Sequence, residues 1–345
     1  MVFIALFPLW LICVAAFALS FFLCWLFWRF PVSRLQNAAE ERSLHSGLIP
    51  RSGGLGIAAA LVLAAAMWGA GLVQLLSPWW LGALLLLFSV SLADDFFSVK
   101  PFVRLLLQFL LALAIVVGGE LYYEVPGLPH WILQGVTVLG LVWMINLYNF
   151  MDGMDGFAAG MALVGFSTFA LLGWMQGAAT YAGWNLCVAA AVAGFWCWNI
   201  PPARLFMGDS GSTVLGALAA IMGLLGIRLQ LFPLWVAAVV FSPFWVDATY
   251  TLVKRYFQGE KLSTPHRQHF YQRLVTRLGK GHGPVLLGQY GLMLACAISV
   301  ILPLWKGLDY NGVIPVLWGL LYLLLIWRLE MYLQALPPAD THNRK

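Results

Sequence analysis

Long runs of apolar residues, separated by short segments rich in glycine, proline and charged side chains, recur along the whole chain. The runs are about 16 to 25 residues long, the length that an α-helix needs to cross a hydrocarbon core of roughly 30 Å. The pattern therefore predicts an all-α polytopic membrane protein of about eleven transmembrane helices. The predicted spans are residues 3–28, 54–75, 79–93, 102–118, 130–148, 156–173, 181–198, 212–228, 231–252, 285–305 and 311–328.

Composition limits what else the chain can contain. Of its 345 residues 62% are hydrophobic and 10% are charged, and the mean hydropathy is +0.85. This leaves no room for a large soluble domain, so we expect a single integral membrane domain over residues 1–345. The first 28 residues carry no charge, whereas a signal peptide begins with a basic segment. We therefore expect the first span to be retained as a helix.

The positions of the cysteines bear on whether the chain forms disulfide bonds or a zinc site. The five cysteines all lie in apolar runs, and no two of them form a CxxC pair. We therefore expect neither a disulfide framework nor a zinc site.

Positive charge is distributed asymmetrically between the predicted loops. With the N-terminus outside, the inner loops and the C-terminal tail hold 17 of the 19 Lys and Arg residues, and only Arg228 and Lys306 lie outside. Cytoplasmic loops of membrane proteins carry such an excess. The pattern predicts an N-terminus on the outer side, a cytoplasmic C-terminus and a working surface on the cytoplasmic face. The predicted inner loops are 29–53, 94–104, 149–157, 199–212 and 253–284, with the tail from Arg328.

Five of the eight aspartates fall in three short motifs, each at a predicted boundary between a span and the cytoplasm. Acids at such boundaries are costly, which favours a functional role. Carboxylates that converge at a membrane surface indicate a divalent cation and phosphate chemistry, because Mg²⁺ prefers oxygen ligands. The motifs are SLADDFF with Asp94 and Asp95, NFMDGMDG with Asp152 and Asp155, and FMGDSGS with Asp209.

In the second motif, polar residues recur at every third position. At the end of a helix this spacing lines polar groups along one face, and the glycines between them allow a tight turn. A helix cap followed by a turn is the structural alternative. The two amides and two carboxylates that can share a cation are those of Asn146, Asn149, Asp152 and Asp155.

The first motif pairs two carboxylates that repel each other, which suits Asp94 and Asp95 to metal binding or to the role of a base. A solvated helix end is the alternative. Lys100 and Arg104 follow at a distance suited to facing a lipid phosphate. Basic anchors of a cytoplasmic loop give the same pattern.

The third motif follows Pro201 and Pro202, which end the seventh predicted span. Small residues on both sides of Asp209 permit a close approach of the backbone to an anion. The next span begins at once, so we expect its N-terminal amides to point toward the same anion. Asp209 is the expected ligand of the accompanying metal.

The last inner loop gathers imidazole and guanidinium groups, which we expect to bind a diphosphate. A basic amphipathic helix at the lipid headgroups is the alternative, and no Cys or acid stands beside the two histidines at the spacing of a zinc site. Asp247, inside the ninth span, is expected to make an interhelical hydrogen bond. The loop residues are His266, Arg267, His269 and Arg273, and Arg42 and His45 of the first inner loop are further candidate anion contacts.

Six ordered motifs resemble the polyprenyl-phosphate N-acetylhexosamine-1-phosphate transferase superfamily (glycosyltransferase 4 family), and in particular its O-antigen-initiating, WecA- and WbpL-like branch. The resemblance implies transfer of N-acetylhexosamine 1-phosphate from a UDP-sugar to undecaprenyl phosphate, with release of UMP and with Mg²⁺ (or Mn²⁺) as cofactor. The resemblance also implies a bacterial inner membrane with the N-terminus in the periplasm, and a homodimer follows only by analogy. The motifs are ERSLHSGLIPRSGG, DDFFSVKPFVRLLLQ, NFMDGMDG, NIPPARLFMGDSGS, PFWVD and the loop HRQHFYQRL.

The resemblance also implies roles for individual residues. Asp209 corresponds to a metal ligand, together with Asp94 and Asp95, and Asp94 matches the residue proposed as base or nucleophile. The implied catalytic set is Asp94, Asp95, Asp152, Asp155 and His269. The implied substrate contacts are Arg104 near the lipid phosphate, Asn149 and Asn199 on the nucleotide side, and Arg42, His45, Arg204, His266, Arg267 and Arg273.

The chain departs from the family pattern in two loops. The first loop often has Asp-x-Pro-Asn before its arginine, where this chain has residues 37–40 as Asn-Ala-Ala-Glu. In the late loop only His269 aligns with the first histidine of the family motif, and Tyr271 and Gln272 replace the others. The second departure argues against the lipid I-forming phospho-N-acetylmuramoyl-pentapeptide transferase, which is the alternative enzyme.

Other functions fit the residues less well. A membrane transporter would place ionisable groups on both sides of a central site, whereas these acids cluster at one face. A CDP-alcohol phosphotransferase would need an Arg and further Asp soon after Asp155, where the chain reads GFAAGMALVG. We expect the lipid bilayer and no nucleic acid as a partner. The mechanistic hypothesis is direct attack by the lipid phosphate with Asp94 as an orienting base, and a covalent aspartyl intermediate is the alternative.

Overall fold

The computed structural model describes residues 7–32, 35–37, 49–69, 75–261, 264, 266–278, 281–308 and 312–335. In these residues the chain is a helical, multi-pass membrane protein, as the apolar pattern predicts. The helices are α1 (Leu9–Arg29), α2 (Gly53–Trp68), α3 (Pro78–Phe97), α4 (Pro101–Leu113, continued by a π-helical turn Ala114–Gly118), α5 (His130–Met151), α6 (Phe157–Met175), α7 (Ala179–Asn199), α8 (Asp209–Arg228), α9 (Leu234–Val240), α10 (Ser242–Phe257), α11 (Phe270–Leu278), α12 (His282–Trp305) and α13 (Val313–Ala335). A two-residue antiparallel ladder joins β1 (Gln36–Asn37) to β2 (Ile49–Pro50).

Each of the eleven predicted spans overlaps a helix. By length and hydropathy, eight helices among the described residues can cross a membrane, or nine if one bent pair counts as a single span. The 16 residues of α2 fall short of a full span, and α7 is not among the eight. The exact number of crossings and the sides of the two termini stay predictions.

The prediction of one continuous helix over residues 231–252 is wrong. Two helices, α9 and α10, meet there at an angle of 76°. Pro243 lies in the first turn of α10, a position that proline tolerates but through which it cannot continue a preceding helix. The Ser242 hydroxyl donates to the carbonyl of Val239 at 2.6 Å, which satisfies an acceptor that the break exposes.

Helix α8 lies at the centre of the bundle, packed against α2, α3, α5 and α6, and it is the most buried of the candidate spans. Its first turn contacts that of α2 so closely that a Cβ on Gly54 would lie 2.4 Å from the backbone nitrogen of Gly211. The amides of Gly53 and Gly54 donate to the carbonyls of Phe206 and Met207 at 2.9 and 2.8 Å. Glycine permits this approach, so α2 holds the segment that leads into α8.

At the other end of α8, its last residue, Arg228, contacts a segment that the sequence predicts to lie on the outer side of the membrane. Arg228 Nη1 donates to the carbonyl of Glu120 at 2.8 Å. The charge pattern assigns both residues to the outer side, and the contact is consistent with that assignment.

Candidate active site

A cavity of about 740 Å³ lies at the end of the bundle where the predicted inner loops meet. Its polar part is built from loop residues and from the ends of several helices, and its apolar part from the facing sides of α4 and α5. A smaller recess beside it is lined by Asp94, Arg104 and Asn146. The polar residues that border the main cavity are Arg51, Arg104, Asn146, Asn149, Asp152, Asn199, Asp209, Thr264, His266, His269 and Gln272.

Arg104 joins the first aspartate motif to the third. Its Nη1 donates to Asp94 Oδ2 and, at 2.9 Å, to Asp209 Oδ2. Asp94 Oδ1 also accepts from the backbone amide of Val99 at 2.6 Å. The Asp209 side chain keeps 28% of its surface exposed, whereas that of Asp94 keeps 8%. Arg104 thus offsets the charge of two carboxylates and leaves Asp209 accessible from the cavity.

Asp95 caps the first turn of α8. Its Oδ1 accepts from the backbone amide of Asp209 at 2.9 Å, and its Oδ2 accepts from that of Ser210 at 3.0 Å. A carboxylate is well suited to this place, because the amides at a helix N-terminus lack intrahelical partners and carry partial positive charge. The expectation that these amides face a bound anion is therefore wrong for the first two, which face Asp95.

Asp152 follows the last residue of α5 and borders the cavity. Removal from water raises the pKa of its carboxyl group well above the usual value, and the negative charge of Asp209 raises that pKa further. Asp95 and Asp155 act in the same direction, whereas the positive charge of Arg51 lowers the pKa. The carboxylates of the three motifs therefore lie close enough to repel one another.

The amides of the second motif fasten α5 to its neighbours. Asn146 Nδ2 donates to Gln108 Oε1 on α4 at 2.6 Å, and Asn149 Nδ2 donates to Ser212 Oγ on α8 at 3.0 Å. Both asparagines also border the cavity. The predicted polar face of α5 is thus present, and it is used for packing as well as for lining the cavity.

Asp155 lies behind the cavity wall rather than at its surface. It is buried, and its Oδ2 accepts from the backbone amide of Ala203 at 3.0 Å and lies 3.2 Å from His282 Nδ1. Asn199 is buried beside it and bonds two backbones, accepting from the Gly156 amide at 2.9 Å and donating to the Leu205 carbonyl at 3.0 Å. These side chains hold the second motif against the segment that leads to Asp209.

The two histidines of the late loop both border the cavity, with ring centroids 5.0 Å apart. His269 precedes α11 and lies with its Nδ1 3.5 Å from Asp247 Oδ1. Asp247 on α10 also accepts from the backbone amides of Phe270 and Tyr271 at 2.9 and 3.3 Å. The prediction of an interhelical hydrogen bond for Asp247 is thereby confirmed, and this bond fixes the position of His269.

Several predicted substrate contacts lie elsewhere. Arg273 forms two hydrogen bonds with Glu330 on α13, at 2.7 and 3.0 Å, and does not border the cavity. Arg204 lies over the rings of Trp28 and Trp198, with its Cζ 5.7 and 6.0 Å from their centroids, and is exposed outside the cavity. Arg267 also lies outside the cavity lining. Arg42 and His45 fall outside the described residues.

The metal site predicted from Asp209, Asp94 and Asp95 is not preassembled. Among the residues that the structure describes, no three His, Cys, Asp or Glu side chains are grouped so that they could hold a metal ion. Asp95 accepts from the Asp209 backbone amide, and Asp94 accepts from the Val99 backbone amide and contacts Arg104. The carboxylates that border the cavity are those of Asp209 and Asp152. Direct ligation by each of the three stays a prediction.

Four residues at the site were not identified from the sequence as functional candidates. Arg51 and Phe206 border the cavity, and both stand next to a glycine-containing helix start, which is a usable signal. His282 contacts Asp155 from the first residue of α12, a place marked only by a lone histidine before an apolar run. Gln272 borders the cavity as well, and nothing in its local sequence marks its burial.

Comparison with known proteins agrees with the motifs. A probable undecaprenyl-phosphate N-acetylglucosaminyl 1-phosphate transferase of Bacillus subtilis is 30% identical over 271 residues, which cover 76% of this chain and 75% of the relative. An undecaprenyl-phosphate alpha-N-acetylglucosaminyl 1-phosphate transferase of Escherichia coli K12 is 25% identical over 313 residues, or 85% of this chain and 81% of the relative. A phospho-N-acetylmuramoyl-pentapeptide-transferase of Levilactobacillus brevis is 36% identical over 121 residues, or 34% of this chain and 37% of the relative.

The sequence profile of glycosyl transferase family 4 matches residues 77–227, a range that contains all three aspartate motifs. The similarity to the Bacillus subtilis relative extends over most of both chains. The chain therefore belongs to glycosyl transferase family 4, the superfamily of polyprenyl-phosphate N-acetylhexosamine-1-phosphate transferases.

Proposed function

We propose that the protein transfers an N-acetylhexosamine 1-phosphate from a UDP-sugar to undecaprenyl phosphate, which gives undecaprenyl-diphospho-N-acetylhexosamine and UMP. The observation that carries the proposal is a single cavity with two chemically different parts. One part holds Arg51, Arg104 and Asp209, and the other is an apolar wall on α4 and α5. Such a cavity suits a reaction between a charged nucleotide sugar and a lipid phosphate.

The apolar wall gives the lipid a route to the charged groups. Leu105 on α4 and Leu139 on α5 border the cavity and are 42% and 59% exposed. In a membrane protein such surfaces face acyl chains. The polyprenyl chain can therefore lie between α4 and α5 while its phosphate reaches Arg104, which stands one turn before Gln108 on α4.

The reaction needs two anions to come together. An oxygen of the lipid phosphate attacks the phosphorus that carries the sugar, and the bond from that phosphorus to the bridging oxygen breaks, so that the electron pair leaves with UMP. Arg104 and Arg51 border the cavity where this charge must be offset. Asp94 contributes by orienting Arg104 through their hydrogen bond. Exchange of labelled UMP into the UDP-sugar without lipid would instead support a covalent aspartyl intermediate.

We further propose Mg²⁺, with Mn²⁺ as a substitute, as the cofactor. Mg²⁺ is commonly held by one or two carboxylates together with substrate phosphates and water, so it does not require a cage of protein ligands. Asp209 and Asp152 border the cavity, and the pKa of Asp152 is raised first by removal from water and then by the negative charge of Asp209, a charge that a cation would offset. When bound, the ion would stabilise negative charge on the transferred diphosphate.

The finer assignment is also a proposal. Initiation of O-antigen or a related cell-envelope glycan at the cytoplasmic face of a bacterial inner membrane fits the charge pattern and the relatives' reactions. N-acetylglucosamine is the first donor to test, because the relatives that cover most of the chain are named for it. The lipid I reaction is less favoured, because relatives named for it match 34% to 51% of the chain, whereas those named for N-acetylglucosamine transfer match 76% and 85%. A homodimer is a proposal from analogy alone.

A donor panel tests the proposal. The purified protein would be given Mg²⁺, undecaprenyl phosphate and, separately, several UDP-N-acetylhexosamines and UDP-N-acetylmuramoyl-pentapeptide, and UMP release would be measured. Lipid-dependent release with at least one UDP-N-acetylhexosamine is expected. The Asp209→Asn variant, purified in the same way, controls for contaminating activity. Release only with the pentapeptide donor, or with none, would overturn the proposal.

A further inference from the structure

The side chain of Arg204 is exposed and lies outside the substrate cavity. Among the residues that the structure describes, no carboxylate forms an ion pair with its guanidinium. Arg104, Arg255 and Arg273 are instead each paired with an acid. An exposed guanidinium without an acidic partner is available to an anion from outside the protein, and phosphate oxygens match its donors well.

Hydrogen bonds fix the backbone that carries Arg204. Its amide and that of Leu205 both donate to the carbonyl of Trp198, at 2.8 and 3.2 Å. The amide of Ala203 donates to Asp155 Oδ2 at 3.0 Å. These bonds fold the chain back over the end of α7. Arg204 is therefore presented at one defined place on the surface, which lowers the entropic cost of binding a ligand there.

Two tryptophans from different helices position the guanidinium of Arg204. Its Cζ lies 5.7 Å from the ring centroid of Trp28 on α1 and 6.0 Å from that of Trp198 on α7. The two ring centroids are 5.4 Å apart. Cation–π contacts have separations of this size. The rings hold the guanidinium in place without neutralising its charge, so its N–H groups remain available as donors.

The site lies where α1 and α7 end, on the side that the charge pattern predicts to be cytoplasmic. Arg29, the last residue of α1, is exposed beside Trp28 and forms no ion pair with a carboxylate in the described part of the chain. Tryptophan is enriched at membrane interfaces, and basic residues are enriched on the cytoplasmic side. Basic pockets between helices on that side bind anionic lipid headgroups.

Aromatic rings continue from this site toward the membrane interior. Phe21 precedes Trp28 by about two helical turns, or about 10 Å, on the same face of α1. Its ring centroid is 5.2 Å from that of Trp198, and both Phe21 and Trp28 are exposed. An acyl chain can lie along these rings while the phosphate of its headgroup reaches Arg204. A free phosphate ion would contact only the polar end of the site.

We propose that Arg204, Trp28 and Trp198 form a binding site for the phosphodiester headgroup of an anionic phospholipid, with Arg29 as a second cation. The site is separate from the substrate cavity, because none of these four residues borders that cavity. A headgroup without a cation of its own leaves the phosphate charge for the two guanidinium groups to offset. The proposal does not depend on the transferase reaction.

Thermal unfolding of the detergent-solubilised protein, without either substrate, tests the site. A lipid that binds the folded state raises the melting temperature in a concentration-dependent way. Phosphatidylglycerol and phosphatidylcholine with identical acyl chains would be titrated separately. Phosphatidylglycerol should raise the melting temperature of the wild type at lower concentration. In Arg204→Gln the half-maximal concentration of phosphatidylglycerol should rise roughly five-fold, with no change for phosphatidylcholine.

Arg328→Gln is the matched control for Arg204→Gln. Arg328 is an exposed arginine on the same predicted side, with its Cζ 5.1 Å from the ring centroid of its neighbour Trp327 on α13. Because this contact stays within one helix, Arg328→Gln should respond to phosphatidylglycerol as the wild type does. Equal losses in the two variants would show only general interfacial charge and would overturn the proposal.

Arg204→Lys separates a shaped site from charge alone. Lysine keeps the positive charge but lacks the planar fork that stacks on rings and contacts two phosphate oxygens. The half-maximal concentration of phosphatidylglycerol should therefore rise in Arg204→Lys as well. A response identical to that of the wild type would overturn the proposal.

Two further measurements complete the test. Inorganic phosphate at the same concentrations should not reproduce the effect of phosphatidylglycerol, because it has no acyl chain to lie along Phe21 and Trp28. An equal rise with phosphate would overturn the assignment to a lipid. Trp28→Leu should weaken the response to phosphatidylglycerol as Arg204→Gln does, and it replaces that variant if Arg204→Gln does not fold. An unchanged response in Trp28→Leu would count against the site.

Discussion

The side chain of Asp95 holds the backbone of Asp209, with its Oδ1 2.9 Å from the Asp209 amide nitrogen. Asp94, its neighbour in the sequence, contacts the side chain of Arg104, which in turn contacts the side chain of Asp209. Asp95 therefore positions Asp209 through a hydrogen bond to its backbone. Asp94 positions Asp209 indirectly, because both carboxylates contact Arg104. These contacts hold the end of α3 against the start of α8.

Replacement of Asp95 by alanine should destabilise the protein. The change removes two hydrogen bonds between a carboxylate and helix N-terminal amides, which is worth about 1–2 kcal/mol in other proteins. The melting temperature of the detergent-solubilised protein should fall, and UMP release should fall with it because Asp209 loses its position. Asp95→Asn retains one good acceptor and should be affected less.

A second N-terminal cap serves as the control for Asp95. Ser77 Oγ accepts from the Trp79 amide at 3.3 Å at the opposite end of α3. Ser77→Ala should lower the melting temperature slightly and leave the turnover of folded protein intact. If Asp95→Ala behaved in the same way, the coupling between Asp95 and Asp209 would be refuted.

Replacement of Asp209 by asparagine should abolish turnover without unfolding the protein. The amide keeps the shape of the side chain and loses the charge that Arg104 and a cation require, so a loss of roughly a hundred-fold or more in kcat is expected. UMP release and size-exclusion behaviour in detergent would be measured together. Turnover close to that of the wild type would contradict the proposed role of Asp209.

The sequence predicts where the charged groups meet because that information is local. Each aspartate motif lies at the end of an apolar run, and alternating crossings bring every second end to the same side. The structure accordingly brings Arg104, Asp152 and Asp209 to one cavity. The helices overlap the predicted spans for the same reason, since the length of an apolar run is a property of the run alone.

The partners of these groups depend on the tertiary structure and were not predictable. Arg273 and Glu330 are 57 residues apart, and no local pattern pairs them. The bend between α9 and α10 is hidden within a continuous apolar run, where Pro243 was its only signal. The position of Asp155 was also not predictable. Its spacing of three residues from Asp152 predicts that it lies on the polar face of α5. The chain leaves the helix at Asp152, so Asp155 turns toward Ala203 and His282.

Replacement of Asp152 by asparagine should stabilise the metal-free protein while it impairs turnover. The raised pKa means that the folded state binds the proton more tightly than the unfolded chain, so ionisation of Asp152 at neutral pH destabilises the fold. This penalty grows as the pH rises above about 4, the pKa of an unperturbed Asp. In EDTA at neutral pH, Asp152→Asn should therefore melt above the wild type, and the gap should narrow toward pH 5.

The neighbouring Asp155→Asn variant is the control for Asp152. Asp155 accepts from the Ala203 amide and contacts His282, so loss of its charge should destabilise the protein. Added Mg²⁺ should raise the melting temperature of the wild type more than that of Asp152→Asn. An Asp152→Asn protein that melts below the wild type at every pH would contradict the raised pKa of Asp152, which comes first from removal from water and then from the neighbouring carboxylates.

Replacement of Arg273 by alanine should lower stability without weakening UDP-sugar binding, in contrast to the role that its sequence context predicts. Its guanidinium is bonded twice to Glu330, which also accepts from Lys254 at 2.8 Å. Loss of these charge-assisted bonds should cost about 1.5–3 kcal/mol. Glu330→Ala should lower the melting temperature more than Arg273→Ala, because it also removes the bonds from Lys254 and Tyr250. The double variant should lose less than the two single losses combined. A raised KM for the UDP-sugar in Arg273→Ala with an unchanged melting temperature would restore Arg273 to the substrate site.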